Sequence, residues 1–92
     1  NLNDSQKVSI KSTAKTKFSY TIKIADFFFE DTAVTMTKRI KSETNQSGKI
    51  KKISDKKYRV YLGPYTNINS LQKSYNSINI LEFDNIEIIK ND

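Results

Sequence analysis

The sequence predicts a single α+β domain in which four strands and two helices follow one another in the order βαββαβ. Two observations carry this prediction. Short segments of alternating apolar and polar residues, typical of half-buried strands, are separated by two segments with apolar residues at helical spacing. The segment from Tyr58 onward also repeats the segment from Tyr20 onward. A chain of 92 residues is long enough for one hydrophobic core and too short for two.

The first predicted unit is a strand, a helix and a second strand. Alternation begins at Phe18 and forms two faces, one with Phe18, Tyr20, Ile22 and Ile24 and the other with Ser19, Thr21, Lys23 and Ala25. A helix over roughly 30–43 follows, because Glu30 and Asp31 suit a first turn and Ala33 begins an apolar stripe. A turn over 44–48 leads to a short strand over 49–53.

The second predicted unit has the same plan. Its first strand covers 58–63 and is expected to end at Pro64, because proline cannot donate a hydrogen bond to a strand ladder. Asn67 can cap the following helix. The apolar stripe of that helix is Ile68, Leu71, Tyr75 and Ile78. The last strand has Ile86 and Ile88 on its inner face.

Two such units are expected to pack as a ferredoxin-like split βαβ fold. The four strands then form one antiparallel sheet, and both helices cover the same face of it. The other face of the sheet is left open.

The amino-acid composition limits the kinds of chemistry that this domain can perform. The chain has neither cysteine nor histidine, which removes thiolate chemistry and the commonest general base and leaves carboxylates as the strong metal ligands. We expect no cofactor and no metal. The net charge of +6 suits an anionic partner, but a predominance of lysine over arginine is also typical of an AT-rich genome.

Residues 1–17 are predicted to be a flexible linker, because their few scattered apolar residues cannot bury a face, and the domain is expected to cover 18–92. No apolar run approaches the roughly 20 residues that cross a bilayer, and no signal peptide opens the chain. The sequence therefore indicates either a cytosolic protein or a fragment of a longer exported one. We expect a monomer with no membrane insertion by this segment.

The segment 58–65 is the most distinctive in the chain. On its residues alone it is a strand followed by a Gly-Pro stop. Val60 and Leu62 point to the core. Arg59 and Tyr61 therefore stand on the open face, where a long cation and a flat ring suit ligand binding. We expect neither of them to have a structural role there.

Residues 59–65 resemble the signature RV-x-[VIL]-GP-[FY] of SPOR domains, the sporulation-related repeat family. Residues 22–27 are similar to the V-Q-[VIL]-G-[SA]-F segment of that family, and Ala33 stands at its usual small position in the first helix. The resemblance spans about residues 19–90. It implies a non-catalytic bacterial module of the periplasm or cell envelope, which binds peptidoglycan glycan strands stripped of their stem peptides at division septa.

The chemistry of such a denuded strand agrees with this implication. The strand exposes lactyl carboxylates, N-acetyl groups and apolar sugar faces, which require cations, amide partners and aromatic rings. The glycan-binding residues that the resemblance implies are Lys23, Ala25, Asp26, Phe27, Arg59, Tyr61 and Tyr65. The domain would target a larger cell-envelope protein, such as an amidase or a lytic transglycosylase, to the division site.

The first strand departs from the family pattern. Lys23 replaces a glutamine, although it can still donate hydrogen bonds to a carboxylate, and Ala25 replaces a glycine. Asp26 replaces a small polar residue, and it can accept from a sugar hydroxyl or pair with Lys23. Phe28 and Phe29 replace polar residues, so either one of them is exposed or both cover the start of the helix.

Three other functional classes fit parts of the pattern. An open sheet backed by two helices also describes an RNA-recognition motif, but Arg59 and Val60 stand where that motif needs glycine and an aromatic residue. An enzyme would need a carboxylate pair for glycan hydrolysis, drawn from Asp26 with Glu30 or Asp31, yet acidic residues at a helix start ordinarily serve its dipole. The open sheet can also bind another protein chain.

Overall fold

The structure is a computed structural model that describes residues 18–91. The linker predicted over 1–17 lies outside the described residues, as does Asp92. Neither helix in the described part of the chain is both long enough and apolar enough to cross a bilayer.

Six elements follow one another in the predicted order and confirm the α+β ferredoxin-like fold. They are β1 (Tyr20–Phe27), α1 (Glu30–Thr44), β2 (Lys49–Ser54), β3 (Lys57–Tyr65), α2 (Ile68–Asn79) and β4 (Glu87–Lys90). The strands form one sheet in the spatial order β2-β3-β1-β4, and every neighbouring pair is antiparallel. The two central strands, β1 and β3, are the pair that the internal repeat aligns.

The hydrophobic core lies between the sheet and the two helices. Its buried members are Ile22, Ile24, Ala33, Ile40, Val60, Leu62, Leu71 and Ile78. They come from β1, β3, α1 and α2, so both helices cover the same face of the sheet, and we call the opposite face the open face. Burying one such isoleucine or leucine side chain stabilises the fold by about 1.5–3 kcal/mol.

The third strand runs through Pro64, so the expectation that it ends at Gly63 is wrong. Tyr20 lies opposite Tyr65 and Ile22 lies opposite Leu62, which leaves the single residue Thr21 facing both Gly63 and Pro64. This extra residue forms a bulge, where a proline without an N–H is tolerated inside a sheet.

The first strand contains a second bulge, which corrects the predicted position of Ala25. Lys23 lies opposite Tyr61 and Ala25 lies opposite Val60, so two residues of β1 face one residue of β3. Ala25 was expected to share the open face with Lys23. The bulge instead turns it toward the core, against which it packs.

Both helix starts follow the sequence-based expectations. Asn67 caps α2, because its side-chain Oδ1 accepts a hydrogen bond of 2.8 Å from the backbone N–H of Ser70. Glu30 lies in the first turn of α1, as predicted. Phe28 and Phe29, immediately before that turn, are both more than half exposed, with ring centroids 4.7 Å apart. Their rings meet edge to face, and neither covers the start of the helix.

Candidate functional site

The open face carries polar and charged residues in rows that run across the strands. One row consists of Glu87, Lys23, Tyr61 and Lys49, from β4 to β2. A neighbouring row consists of Asp26, Arg59 and Lys51. Directly opposite residues in an antiparallel sheet point to the same side, so these side chains share one surface.

A trough of ≈ 430 Å³ crosses this surface diagonally. It is lined by Ser19, Thr21, Lys51, Arg59, Tyr61, Pro64, Ile89 and Asn91. One end lies at Lys51 on β2 and the other at Asn91, the residue that follows β4 in the chain. The strands β2 and β4 are three strand spacings apart, or about 14 Å. The trough is therefore long enough for an extended ligand rather than a single small group.

The middle of the trough is apolar, and one of its ends is a polar cluster. Tyr61 and Pro64, on the central strand β3, line the middle, and Ile89 adds an apolar side chain on β4. At the end near β4, the side-chain Nδ2 of Asn91 donates to Thr21 Oγ1 at 3.0 Å and to Ser19 Oγ at 3.2 Å. The backbone N–H of Asn91 also donates to the carbonyl of Ser19 at 2.8 Å, which fixes the cluster to β1.

Arg59 and Asp26 form a bidentate ion pair on the open face. Arg59 Nε lies 2.8 Å from Asp26 Oδ1, and Arg59 Nη2 lies 3.1 Å from Asp26 Oδ2. The side chains are only 26% and 20% exposed, so the pair is partly shielded from water. The expectation that Arg59 has no structural role is therefore wrong, because it joins β3 to β1 across the centre of the sheet.

Lys23 also has carboxylate partners on the open face. Its Nζ lies 3.5 Å from Asp26 Oδ2 and 3.8 Å from Glu87 Oε1, which confirms the pairing with Asp26 as one of the two expected alternatives. The hydrogen bonds from Arg59 hold the pKa of Asp26 below its usual value, against the opposing effect of burial, and the charges of Arg59 and Lys23 lower that pKa further. Asp26 is thus a stable carboxylate.

Asp26→Asn is expected to lower the free energy of unfolding by about 1.5 kcal/mol at pH 7, because Arg59 loses a charged, bidentate partner. Since the pKa of Asp26 is lowered in the folded protein, the stabilisation is present above the unfolded-state pKa of about 3.9 and is lost as the pH falls through the lower folded-state pKa. Urea unfolding of both proteins between pH 2 and pH 7 should show this difference vanish in acid.

Asp55→Asn is the matched control for that measurement. Asp55 is 98% exposed at the β2–β3 turn, 3.8 Å from Lys52 Nζ, and its replacement should leave the unfolding free energy unchanged across the pH range. A difference between wild type and Asp26→Asn that persists unchanged at pH 2 would contradict the ion-pair explanation.

The structure brings four of the seven predicted site residues together. Lys23, Asp26, Arg59 and Tyr61 lie on the open face. The other three, Ala25, Phe27 and Tyr65, are partly buried and pack against the core. Phe27 lies opposite Tyr58, which is also packed against the core, so its ring is on the helix side. A contact between these three residues and a ligand stays a prediction.

Sequence reasoning missed one residue at each end of the trough, Lys51 and Asn91. Lys51 was not predicted as a site residue, because β2 has lysine at 49, 51 and 52 and polarity therefore does not distinguish the two faces of this strand. Only the register reveals that Lys51 stands beside Arg59. Asn91 lies beyond the last strand, and its partners Ser19 and Thr21 are some 70 residues away in the chain.

Comparisons of the chain with protein-family models, with curated proteins and with solved structures give no match.

Proposed function

We propose that this domain is a non-catalytic module that binds peptidoglycan glycan strands along the trough of its open face. The observation that carries the proposal is the composition of that trough, which combines cations, an aromatic ring and amide and hydroxyl groups on one surface. These are the side chains that a denuded strand requires. The resemblance of residues 59–65 to the SPOR signature supports the same ligand.

Each part of the trough suits one part of the ligand. The ring of Tyr61 offers an apolar platform for a sugar face, and Pro64 and Ile89 line the same trough. The cluster around Asn91 offers the Ser19 hydroxyl as a donor and the oxygens of Ser19, Thr21 and Asn91 as acceptors to N-acetyl and hydroxyl groups. The amide hydrogens of Asn91 already donate within the cluster. Lys51, which stands beside the Asp26–Arg59 pair at the other end, offers positive charge to the lactyl carboxylates.

The state of Asp26 supports binding rather than catalysis. A glycosidase needs one carboxylic acid with a raised pKa to protonate the leaving group. The pKa of Asp26 is lowered, and both of its oxygens are engaged by Arg59. This carboxylate is therefore poorly suited to act as a general acid.

We further propose that the domain belongs to a longer exported protein of the bacterial cell envelope. Bound to denuded strands, it would target an attached hydrolase or division protein to the septum, in the periplasm. The resemblance to SPOR domains and the glycan chemistry of the trough support this location.

A pulldown with purified sacculi, before and after treatment with an amidase that removes stem peptides, tests the proposal. Binding should rise after treatment, and an Arg59→Ala, Tyr61→Ala double variant that is still folded by circular dichroism should lose it. Unchanged binding after treatment, or full binding by the double variant, would contradict the proposal. A gel shift with single-stranded RNA, in the absence of glycan binding, would favour a nucleic-acid-binding domain instead.

A further inference from the structure

The cations of the open face differ in what they already bind. Arg59 is held by Asp26 through two hydrogen bonds. Lys23 lies between Asp26 and Glu87. Lys49 Nζ donates to the backbone carbonyl of Gly63 at 2.7 Å. Each of these three side chains thus has a partner within the domain.

Lys51 is different. It is exposed, lines the trough and lies directly opposite Arg59 in the β2–β3 ladder. Among residues 18–91, no carboxylate lies within ion-pair distance of its Nζ. The ammonium of Lys51 therefore has three hydrogen-bond donors to offer to a ligand.

We propose that Lys51 recognises the lactyl carboxylate and is the residue that makes the domain prefer denuded strands to strands that carry stem peptides. In a strand with its stem peptides, the same carboxyl is an amide and carries no charge. A cation in direct contact with this carboxyl distinguishes the two states by the charge at that position, whereas the carboxylates of a stem peptide lie further from the glycan backbone. This inference rests on the proposed function.

Arg59 is less suited to this task, although it lies beside Lys51. A ligand carboxylate that bound Arg59 through its Nε and Nη2 would have to displace Asp26 or approach it closely, and two neighbouring carboxylates repel each other. The Asp26–Arg59 pair instead leaves Lys51 as the uncompensated charge at this end of the trough. The preference for denuded strands then depends on the charge of the lactyl carboxylate and not only on the removal of the bulky stem peptide.

Three solubilised glycan strands distinguish the effect of the carboxylate charge from the effect of the bulk of the stem peptide. One carries its stem peptides, one has been treated with amidase, and one has been treated with amidase and its carboxyls then converted to neutral methylamides. Dissociation constants are measured by titration calorimetry at low salt for wild type, Lys51→Gln and Lys52→Gln. Lys52 is the matched control, because it is also an exposed lysine of β2 but lies opposite Tyr58, which packs against the core.

Wild type and Lys52→Gln should bind the free-acid strand about threefold to fivefold more tightly than the methylamide strand, the upper part of the range for an exposed ion pair. Lys51→Gln should bind these two strands equally, and the preference of wild type should fade as salt is raised.

Equal binding of the free-acid and methylamide strands by wild type would overturn the inference, because the preference would then come from removal of the bulky peptide. A preference kept by Lys51→Gln would also overturn it, because another cation would hold the carboxylate. Absence of binding to all three strands by wild type would overturn the proposed function itself, and the role of Lys51 with it.

Discussion

Replacing Tyr61 with alanine is expected to weaken the binding of denuded glycan strands about thirtyfold. Tyr61 lies on a central strand and lines the apolar middle of the trough, between the row partners Lys23 and Lys49. A tyrosine at the centre of a binding surface typically contributes about 2 kcal/mol, which corresponds to this change in the dissociation constant. Titration of wild type and variant with the same amidase-treated strands measures it.

The Tyr61→Ala variant should remain folded, with only a modest loss of stability. The side chain is on the open face and is not part of the buried core, so its removal costs only cross-strand contacts worth up to about 1 kcal/mol. Thermal unfolding therefore separates a loss of binding from a loss of fold.

Phe29→Ala and Tyr61→Phe are the controls for this prediction. Phe29 is 62% exposed but is not part of the trough, so its removal should leave the affinity unchanged. Tyr61→Phe keeps the ring and should retain most of the affinity. If Tyr61→Ala binds as well as wild type, or if Phe29→Ala loses as much, the sugar does not stack in the middle of the trough.

Gly63→Ala is expected to destabilise the domain by about 3 kcal/mol. Gly63 has a φ of 112°, a backbone conformation that residues with a side chain rarely adopt. A Cβ at this position would also lie 3.1 Å from the carbonyl oxygen of Tyr20 and 3.2 Å from the ring of Tyr65. The variant strains its own backbone and crowds the bulge that lets β3 continue. Urea unfolding, monitored by circular dichroism, measures the loss.

The other glycine of the chain provides a matched control. A Cβ on Gly48 would meet the methyl group of Thr37 at 3.3 Å, and its φ is not in the positive range. Gly48→Ala should therefore cost less than about 1 kcal/mol. If the two variants were equally stable, the conformation of Gly63 could not be the reason that glycine occupies this position.

Alternation and the internal repeat predicted the elements of this fold correctly because the core depends on them. Inward positions such as Ile22 and Val60 are apolar in sequence and fully buried in the structure. The two bulges could not be predicted in this way, because an inserted residue shifts the register of a strand without changing its composition. Ala25 and Pro64 were both misplaced for this reason.

The candidate site was harder to predict than the fold because its residues meet only through the pairing of strands. Asp26 and Arg59 are 33 residues apart, and nothing near either of them in the chain indicates a bidentate pair. The open-face position of Tyr61 followed from alternation alone. That of Lys51 depended on the β2–β3 register. Alternation in the sequence thus predicts which side chains lie on the open face, whereas the strand register is needed to identify the cations that have no partner there among residues 18–91.

β2 is an edge strand of the sheet, and this position affects how several copies of the domain interact. An edge strand presents unpaired backbone N–H and C=O groups, which can pair with a strand of another molecule. Here β2 carries Lys49, Lys51 and Lys52, and the strand at the opposite edge, β4, is only four residues long. Under the proposed function, copies bound side by side along one glycan strand would reach a high local concentration, at which strand addition between them would otherwise be favoured. Two β2 edges, each with three lysines, repel each other, and β4 is a short edge for pairing, so crowding on the glycan strand is expected to leave each copy separate and able to dissociate.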